Sequence, residues 1–233
     1  MVVASCGGSP SEVRVSAAAS LDEAFSEIKV AFEATHPGVD ILLNFGGSSA
    51  LREQILEGAP VDVFASANMS IMDSVVAAGE TVGEPRVFAS NLLEIAVPPG
   101  NPGGVTSLID FARPDLLVGL CAEAVPCGDF GRKALDKAGV VPSIDSDEPD
   151  VRALLNKIEL GELDAGIVYA TDVESAGGKV EGIEIPASDN VIATYPIAVL
   201  VSAPNPQGAG EFVEFVMSDA GQEILARYGF AAP

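Results

Sequence analysis

Four segments of the sequence place a small or hydroxyl-bearing residue at the start of a predicted helix, directly after a strand or a turn. These residues are Ser20, Ser48, Cys127 and Val151. The first turn of a helix leaves its backbone N–H groups without partners inside the helix, and the aligned peptide dipoles favour negative charge there. Each segment is therefore a candidate anion-binding site made of uncharged hydrogen-bond donors.

Each of these residues also has an ordinary structural interpretation. Ser20 opens a Ser-x-x-Glu sequence, which has the form of a capping box, and Ser48 lies in a Gly-Gly-Ser-Ser turn. Cys127 and Val151 are equally suited to a packed core. Tyr169 ends an apolar strand, where a half-buried ring with its hydroxyl in water is common. Taken singly, none of the five identifies a ligand site.

The small number of cysteine and histidine residues limits the metal sites and catalytic groups that the chain could form. Three cysteines and one histidine leave little for a structural zinc site, which usually takes four ligands, and we expect no metal site. Cys121 and Cys127 are six residues apart, and an oxidising compartment permits a disulfide between them; two buried free thiols are the alternative. A nucleophilic pair of Cys127 and His36 is compatible with the sequence, but His36 precedes Pro-Gly at a predicted helix end.

Strands and helices alternate over the first ninety residues. Apolar runs over 13–19, 39–45 and 61–65 predict strands, and helices are predicted after each of them. This order favours a mostly parallel sheet covered by helices. Strand-to-helix turns of such a sheet gather at its carboxyl edge, so the candidate anion sites are expected to converge on one cleft.

Length and charge bound the class of protein. The 233 residues suit one large domain or two small lobes, and 48% hydrophobic residues provide a full core. The formal net charge of −22 repels polyanions, so we expect no nucleic-acid partner. No apolar run is long enough to span a bilayer.

The first ten residues resemble part of a lipoprotein export signal. The sequence Val3-Ala4-Ser5-Cys6 is similar to a bacterial lipobox, in which the cysteine is acylated after cleavage, and Gly7-Gly8-Ser9-Pro10 follows as a tether. We therefore expect an extracytoplasmic protein anchored to a membrane through lipid on Cys6, with no spanning segment. A free cysteine in an unstructured tail is the alternative.

Seven motifs occur in order over nearly the whole chain after the tether. They resemble the molybdate-binding proteins of bacterial ABC transporters. The motifs are Ala17–Leu21, Phe45–Leu51, Gly58–Ala67, Val125–Gly128, Asp150–Arg152, Gly166–Tyr169 and Arg227–Phe230.

The resemblance implies a periplasmic-binding-protein fold of type II. This fold has two α/β lobes, each a mostly parallel mixed sheet flanked by helices, with the ligand cleft between them. We assign residues 1–10 to the signal remnant and tether, 11–89 plus 196–233 to the first lobe, and 90–195 to the second. The chain is expected to cross between the lobes near 90–92 and near 195–196.

The resemblance also implies a ligand set and a function. Molybdate or tungstate would be held without a cationic side chain, by the hydroxyl and N–H groups of Ser20 and Ser48, the N–H groups of Cys127 and Val151, and the hydroxyl of Tyr169. The chain would be a monomer without cofactor or catalysis that delivers the oxyanion to a membrane permease. The alternatives are a receptor for another tetrahedral oxyanion such as sulfate, an extracytoplasmic sensor domain, and a thiol enzyme.

Overall fold

The computed structural model describes residues 11–233, so the predicted lipidation site at Cys6 lies outside the described residues. Within this range the chain forms ten strands and eight α-helices. The strands are β1 (Ser11–Ala18), β2 (Val39–Gly46), β3 (Val63–Ala65), β4 (Arg86–Asn91), β5 (Leu93–Val97), β6 (Val118–Cys121), β7 (Ser146–Glu148), β8 (Ala165–Tyr169), β9 (Glu181–Glu184) and β10 (Ala193–Val199). The helices are α1 (Asp22–Thr35), α2 (Ser48–Leu56), α3 (Met69–Ala77), α4 (Pro126–Lys137), α5 (Val151–Glu159), α6 (Ala170–Ser175), α7 (Pro206–Met217) and α8 (Asp219–Arg227).

The strands form two five-stranded sheets of the same plan. The first has the order β2-β1-β3-β10-β4 and the second the order β7-β6-β8-β5-β9. In the first, β1 runs parallel to β2 and β3, and β10 is antiparallel to β3 and β4. In the second, β6 runs parallel to β7 and β8, and β5 is antiparallel to β8 and β9.

The predicted fold class, two mixed α/β sheets flanked by helices, is confirmed. The expectation of mostly parallel pairing is wrong, because each sheet has two parallel and two antiparallel pairings. Parallel neighbours need a crossover connection, usually a helix. Strands β5 and β10 instead enter their sheets directly from the other sheet, so nothing forces them to run parallel.

The chain passes between the two sheets twice. The first passage is at Leu92, between β4 and β5, and the second lies between β9 and β10, over residues 185–192. Residues 90–91 and 193–195 therefore pair within the first sheet, whereas the boundaries predicted at 90 and 195 assign them to the second lobe.

Close packing fixes helix α5 against the second sheet. Gly119 and Gly166 are paired neighbours on β6 and β8. A Cβ atom added at Gly119 would lie 2.7 Å from Cδ1 of Leu154, and one added at Gly166 would lie 2.9 Å from Cδ1 of Ile158. Both leucine and isoleucine belong to the buried face of α5. The two glycines therefore let α5 lie directly on the strands, and this contact sets the position of the helix N-terminus at Val151.

A disulfide joins the end of β6 to the start of α4. Cys121 and Cys127 are bonded, with their Cα atoms 5.7 Å apart, and both residues are buried. Of the two alternatives left open by the sequence, the structure therefore has the bridge. No helix among residues 11–233 combines the length and the apolar character needed to cross a bilayer.

Reduction of this bridge should lower the melting temperature. Closing a loop of this length stabilises a protein by about 2 kcal/mol in the chain-entropy model, and such a change shifts the melting temperature of a chain this size by roughly 5 °C. Thermal unfolding with and without dithiothreitol measures the shift. The double variant Cys121→Ala/Cys127→Ala, which keeps Cys6, should melt at the same temperature in both buffers. A reductant effect that persists in the double variant would contradict the assignment.

Candidate functional site

A small cavity lies where the carboxyl ends of the parallel strands of both sheets meet. Its cavity volume of about 20 Å³ is far below the roughly 300–1,000 Å³ of pockets for drug-sized ligands, so it suits a small ion. It contains all five residues predicted to bind the ligand, brought together from both sheets. The lining residues are Ala18, Ala19, Ser20, Gly46, Gly47, Ser48, Ala67, Val125, Pro126, Cys127, Asp150, Val151 and Tyr169.

Ser48 is the first residue of α2, directly after the end of β2. Its backbone N–H belongs to the first turn of the helix and has no hydrogen-bond partner among residues 11–233. Its Oγ accepts a hydrogen bond of 3.1 Å from the backbone N–H of Ala67. Since the oxygen is already engaged as an acceptor, the hydroxyl proton is left to donate into the cavity.

Gly47 brings the two lobes into direct contact beside Ser48. A Cβ atom at this position would lie 2.6 Å from the carbonyl oxygen of Pro149 and 2.8 Å from Cγ1 of Val125, both in the second lobe. Only a residue without a side chain permits this approach. The glycine therefore allows the first turns of α2 and α5 to face each other across the cleft.

The capping box predicted at Ser20 is wrong. Ser20 lies inside a 3₁₀ turn (Ala19–Leu21), α1 begins at Asp22, and no side chain caps that helix. The Oγ of Ser20 instead lies 2.9 Å from the hydroxyl oxygen of Tyr195, a hydrogen bond between two buried groups. A long-range partner thus replaces the local cap, and Ser20 lines the cavity.

The second lobe contributes two helix N-termini. Cys127 is the second residue of α4, after Pro126, and Val151 is the first residue of α5, after its N-cap Asp150. The carboxylate of Asp150 accepts a hydrogen bond of 2.9 Å from the N–H of Ala153, so its charge is directed to its own helix. The N–H groups of Cys127 and Val151 have no recorded partner among the described residues.

Tyr169 ends β8 with a buried hydroxyl that has no partner. The residue is 1% exposed, and its hydroxyl makes no hydrogen bond among residues 11–233. The ordinary structural interpretation of Tyr169, a half-buried ring with its hydroxyl in water, is therefore wrong. Burial raises the pKa of this hydroxyl well above its ordinary value, so it stays protonated. A buried donor left unpaired costs about 1–3 kcal/mol, and a ligand that accepts from it removes that cost.

Arg152 crosses the cleft next to Val151. Its Nε donates to the carbonyl oxygen of Ala19 at 3.3 Å, and one Nη forms an ion pair with the carboxylate of Glu23, both in the first lobe. The other Nη donates to Oγ of Ser175 in its own lobe at 3.2 Å. The guanidinium therefore ties α5 to the turn that carries Ser20, which the sequence motif alone did not reveal.

Two carboxylates neutralise the positive charge of Arg152 next to the cavity. Besides Glu23, the carboxylate of Asp172 is buried behind it, with Oδ1 3.9 Å from Nε of Arg152. Burial raises the pKa of Asp172 to about 6. Its Oδ2 accepts from the backbone N–H of Tyr169 at 3.0 Å and so holds the end of β8. Sequence reasoning assigned no functional role to Asp172 or Tyr195, because their partners are distant along the chain or are backbone groups.

The two groups considered for catalysis are engaged elsewhere. Cys127 is bonded to Cys121, so its sulfur is not a free thiolate. His36 ends α1, and its ring stacks on that of Phe32 with the centroids 3.9 Å apart. Within residues 11–233 there is no group of three or more His, Cys, Asp or Glu side chains placed to hold a metal ion.

Comparison with known proteins identifies the family of this chain and finds solved structures with the same fold. The family model described as bacterial extracellular solute-binding protein matches residues 13–231. The molybdate-binding protein ModA of Mycobacterium tuberculosis is 42% identical over 219 residues, which are 94% of this chain and 84% of that protein.

Solved structures share the fold. The periplasmic molybdate-binding protein of Azotobacter vinelandii superposes with a TM-score of 0.82 at 19% identity, covering 95% of this chain and 99% of that one. The sulfate-binding protein SubI from M. tuberculosis superposes with a TM-score of 0.86 at 18% identity, covering 95% and 87%. At these identities the likeness establishes the fold alone. The family model and the sequence identity together show that the chain belongs to the bacterial extracellular solute-binding proteins, in the family of molybdate-binding proteins.

Proposed function

We propose that this protein is the extracytoplasmic substrate-binding component of an ABC importer, and that it captures molybdate or tungstate in the cavity between its lobes. The observation that carries the proposal is the convergence of uncharged donors on one small cavity. Those donors are the N–H and hydroxyl groups of Ser20 and Ser48, the N–H groups of Cys127 and Val151, and the hydroxyl of Tyr169.

Neutral donors suit a doubly charged ion. The ion loses its hydration on entry, and only directed hydrogen bonds offset that loss. Hydrogen bonds to a charged group contribute about 1.5–3 kcal/mol each, so the seven proposed donors supply roughly 10–20 kcal/mol before the cost of lost motion. A net free energy of about −8 to −12 kcal/mol corresponds to micromolar to nanomolar affinity.

The same donors select the protonation state of the ligand. A fully deprotonated oxyanion presents an acceptor to every donor, whereas a protonated one places a hydrogen against a donor. Phosphate, which keeps a proton at neutral pH, is therefore disfavoured. Sulfate has the charge and symmetry of molybdate, so only the size of the cavity discriminates against it.

The delivery step follows from the two-lobed construction. Ser20 and Ser48 belong to one lobe and Cys127 and Val151 to the other, so the donor set is complete only when the lobes are closed. The closed form would be recognised by a membrane permease. If Cys6 carries lipid, the protein is held at the outer face of the membrane as a monomer, within reach of that permease.

Isothermal titration tests the ligand assignment. Molybdate and tungstate should bind with a single site and a dissociation constant between micromolar and nanomolar, and sulfate should bind more weakly because it is smaller. At a ligand concentration of 100 times the dissociation constant, binding should also raise the unfolding free energy by about 2.7 kcal/mol. Tight sulfate binding with no heat from molybdate would overturn the assignment.

Tyr169→Phe should affect stability and affinity in opposite directions. The variant removes a buried hydroxyl that has no partner, so the ligand-free protein should be as stable as the wild type or more stable. Molybdate should bind at least about tenfold more weakly, because a hydrogen bond to the ion is lost. Chemical denaturation and calorimetry measure the two effects. An unchanged affinity would remove Tyr169 from the ligand set.

Glu23→Gln should shorten the residence of the ligand. It breaks the ion pair with Arg152 across the cleft, and a partly exposed pair contributes up to about 1 kcal/mol, or about fivefold in the dissociation rate. The matched control is Glu27→Gln on the same helix, which breaks a pair with Arg227 inside the first lobe. Stopped-flow tyrosine fluorescence, in a protein without tryptophan, follows release. Equal release rates in both variants would contradict a role in closure.

A further inference from the structure

Among the described residues, the hydroxyl of Tyr195 is the one side-chain group that forms a hydrogen bond with Oγ of Ser20. Tyr195 lies on β10, is 0% exposed, and its oxygen is 2.9 Å from that Oγ. Its ring packs edge-on against the rings of Tyr169, Phe88 and Phe230, with centroids 6.0, 6.2 and 5.4 Å away. The hydroxyl is thus held in one place by packing on several sides.

The direction of this hydrogen bond depends on the ligand. Either oxygen of the pair is able to donate. A fully deprotonated oxyanion has no proton to give, so a contact between it and Oγ of Ser20 uses the serine proton. The bond between the two hydroxyls must then be donated by Tyr195. Burial raises the pKa of Tyr195 above its ordinary value, so the phenol retains the proton that this arrangement needs.

The side-chain amide of Asn91 already forms hydrogen bonds with other groups. Asn91 donates through Nδ2 to Oγ1 of Thr171 at 2.8 Å, and its Oδ1 accepts from the N–H of Leu92 at 2.9 Å. Within residues 11–233, Oγ of Ser20 is the one acceptor recorded for the Tyr195 hydroxyl. When the phenol donates its proton, the serine oxygen is therefore the acceptor within hydrogen-bond distance.

We propose that Tyr195 is a positioning residue of the oxyanion site: its hydroxyl donates to Oγ of Ser20 and thereby commits the serine proton to the bound ion. This inference rests on the proposed function. Tyr195 does not line the cavity and acts through Ser20. A donor behind the serine also polarises its hydroxyl and strengthens the bond to the ion. The pair thus makes Ser20 a donor toward the ligand, which favours oxyanions that carry no proton.

A double-mutant cycle tests the coupling between the two residues. Tyr195→Phe keeps the aromatic packing and removes the hydroxyl, and it should weaken molybdate binding by about tenfold in calorimetry. In a Ser20→Ala background the same change should alter the dissociation constant by less than about twofold, because no serine proton remains to be directed. Tyr228→Phe is the control, since its hydroxyl bonds Glu27 outside the cavity, and it should bind as the wild type does.

Two results would overturn the inference. One is an unchanged affinity in Tyr195→Phe; the other is an equal loss in the wild-type and Ser20→Ala backgrounds, which would indicate a general packing effect. Thermal unfolding of each ligand-free variant verifies that it is folded. Failure of the wild-type protein to bind molybdate would instead overturn the proposed function, so the two failures are distinguishable.

Discussion

The construction of the site depends on backbone N–H groups that have no partner inside their own helices. In a protein with a net charge of −22, an anion has to be held by local donors against the overall field. The first turns of α2, α4 and α5 supply such donors without adding charge. Because each turn has only a few free N–H groups, one helix is insufficient, and the ends of several helices must be brought to the same point.

The repeated sheet plan brings these helix ends together. In each sheet one strand, β1 or β6, runs parallel to both of its neighbours, so three carboxyl ends lie at one edge. The two edges face each other, and Gly47 removes the side chain that would keep them apart. Charged groups near the cavity are compensated locally: Arg152 by Glu23 and Asp172, and Asp150 by the N-terminus of its own helix. In the proposed site the ligand would therefore meet hydroxyl and N–H groups.

The sequence by itself determined the features that depend on short stretches of chain. Alternation of apolar strands with helices gave the α/β class, and helix starts located the free N–H groups at Ser48, Cys127 and Val151. The order of seven motifs identified the family and the five candidate residues, all of which line one cavity. Helix starts and strand periodicity can be inferred in this way because they are set by neighbours within a few residues, whereas the ligand set stays a prediction.

Only the tertiary structure decided the partners of those residues. Ser20 reads locally as a cap, yet its hydroxyl bonds Tyr195, 175 residues away in sequence. Arg152 reaches Glu23 across the cleft, 129 residues away. The sequence also left open the bridge between Cys121 and Cys127. It located the first passage between the sheets, at Leu92, but placed the second near 195–196, whereas the structure has it over residues 185–192. Such contacts depend on how the two sheets are arranged relative to each other, and the periodicity of apolar residues along the chain does not encode that arrangement.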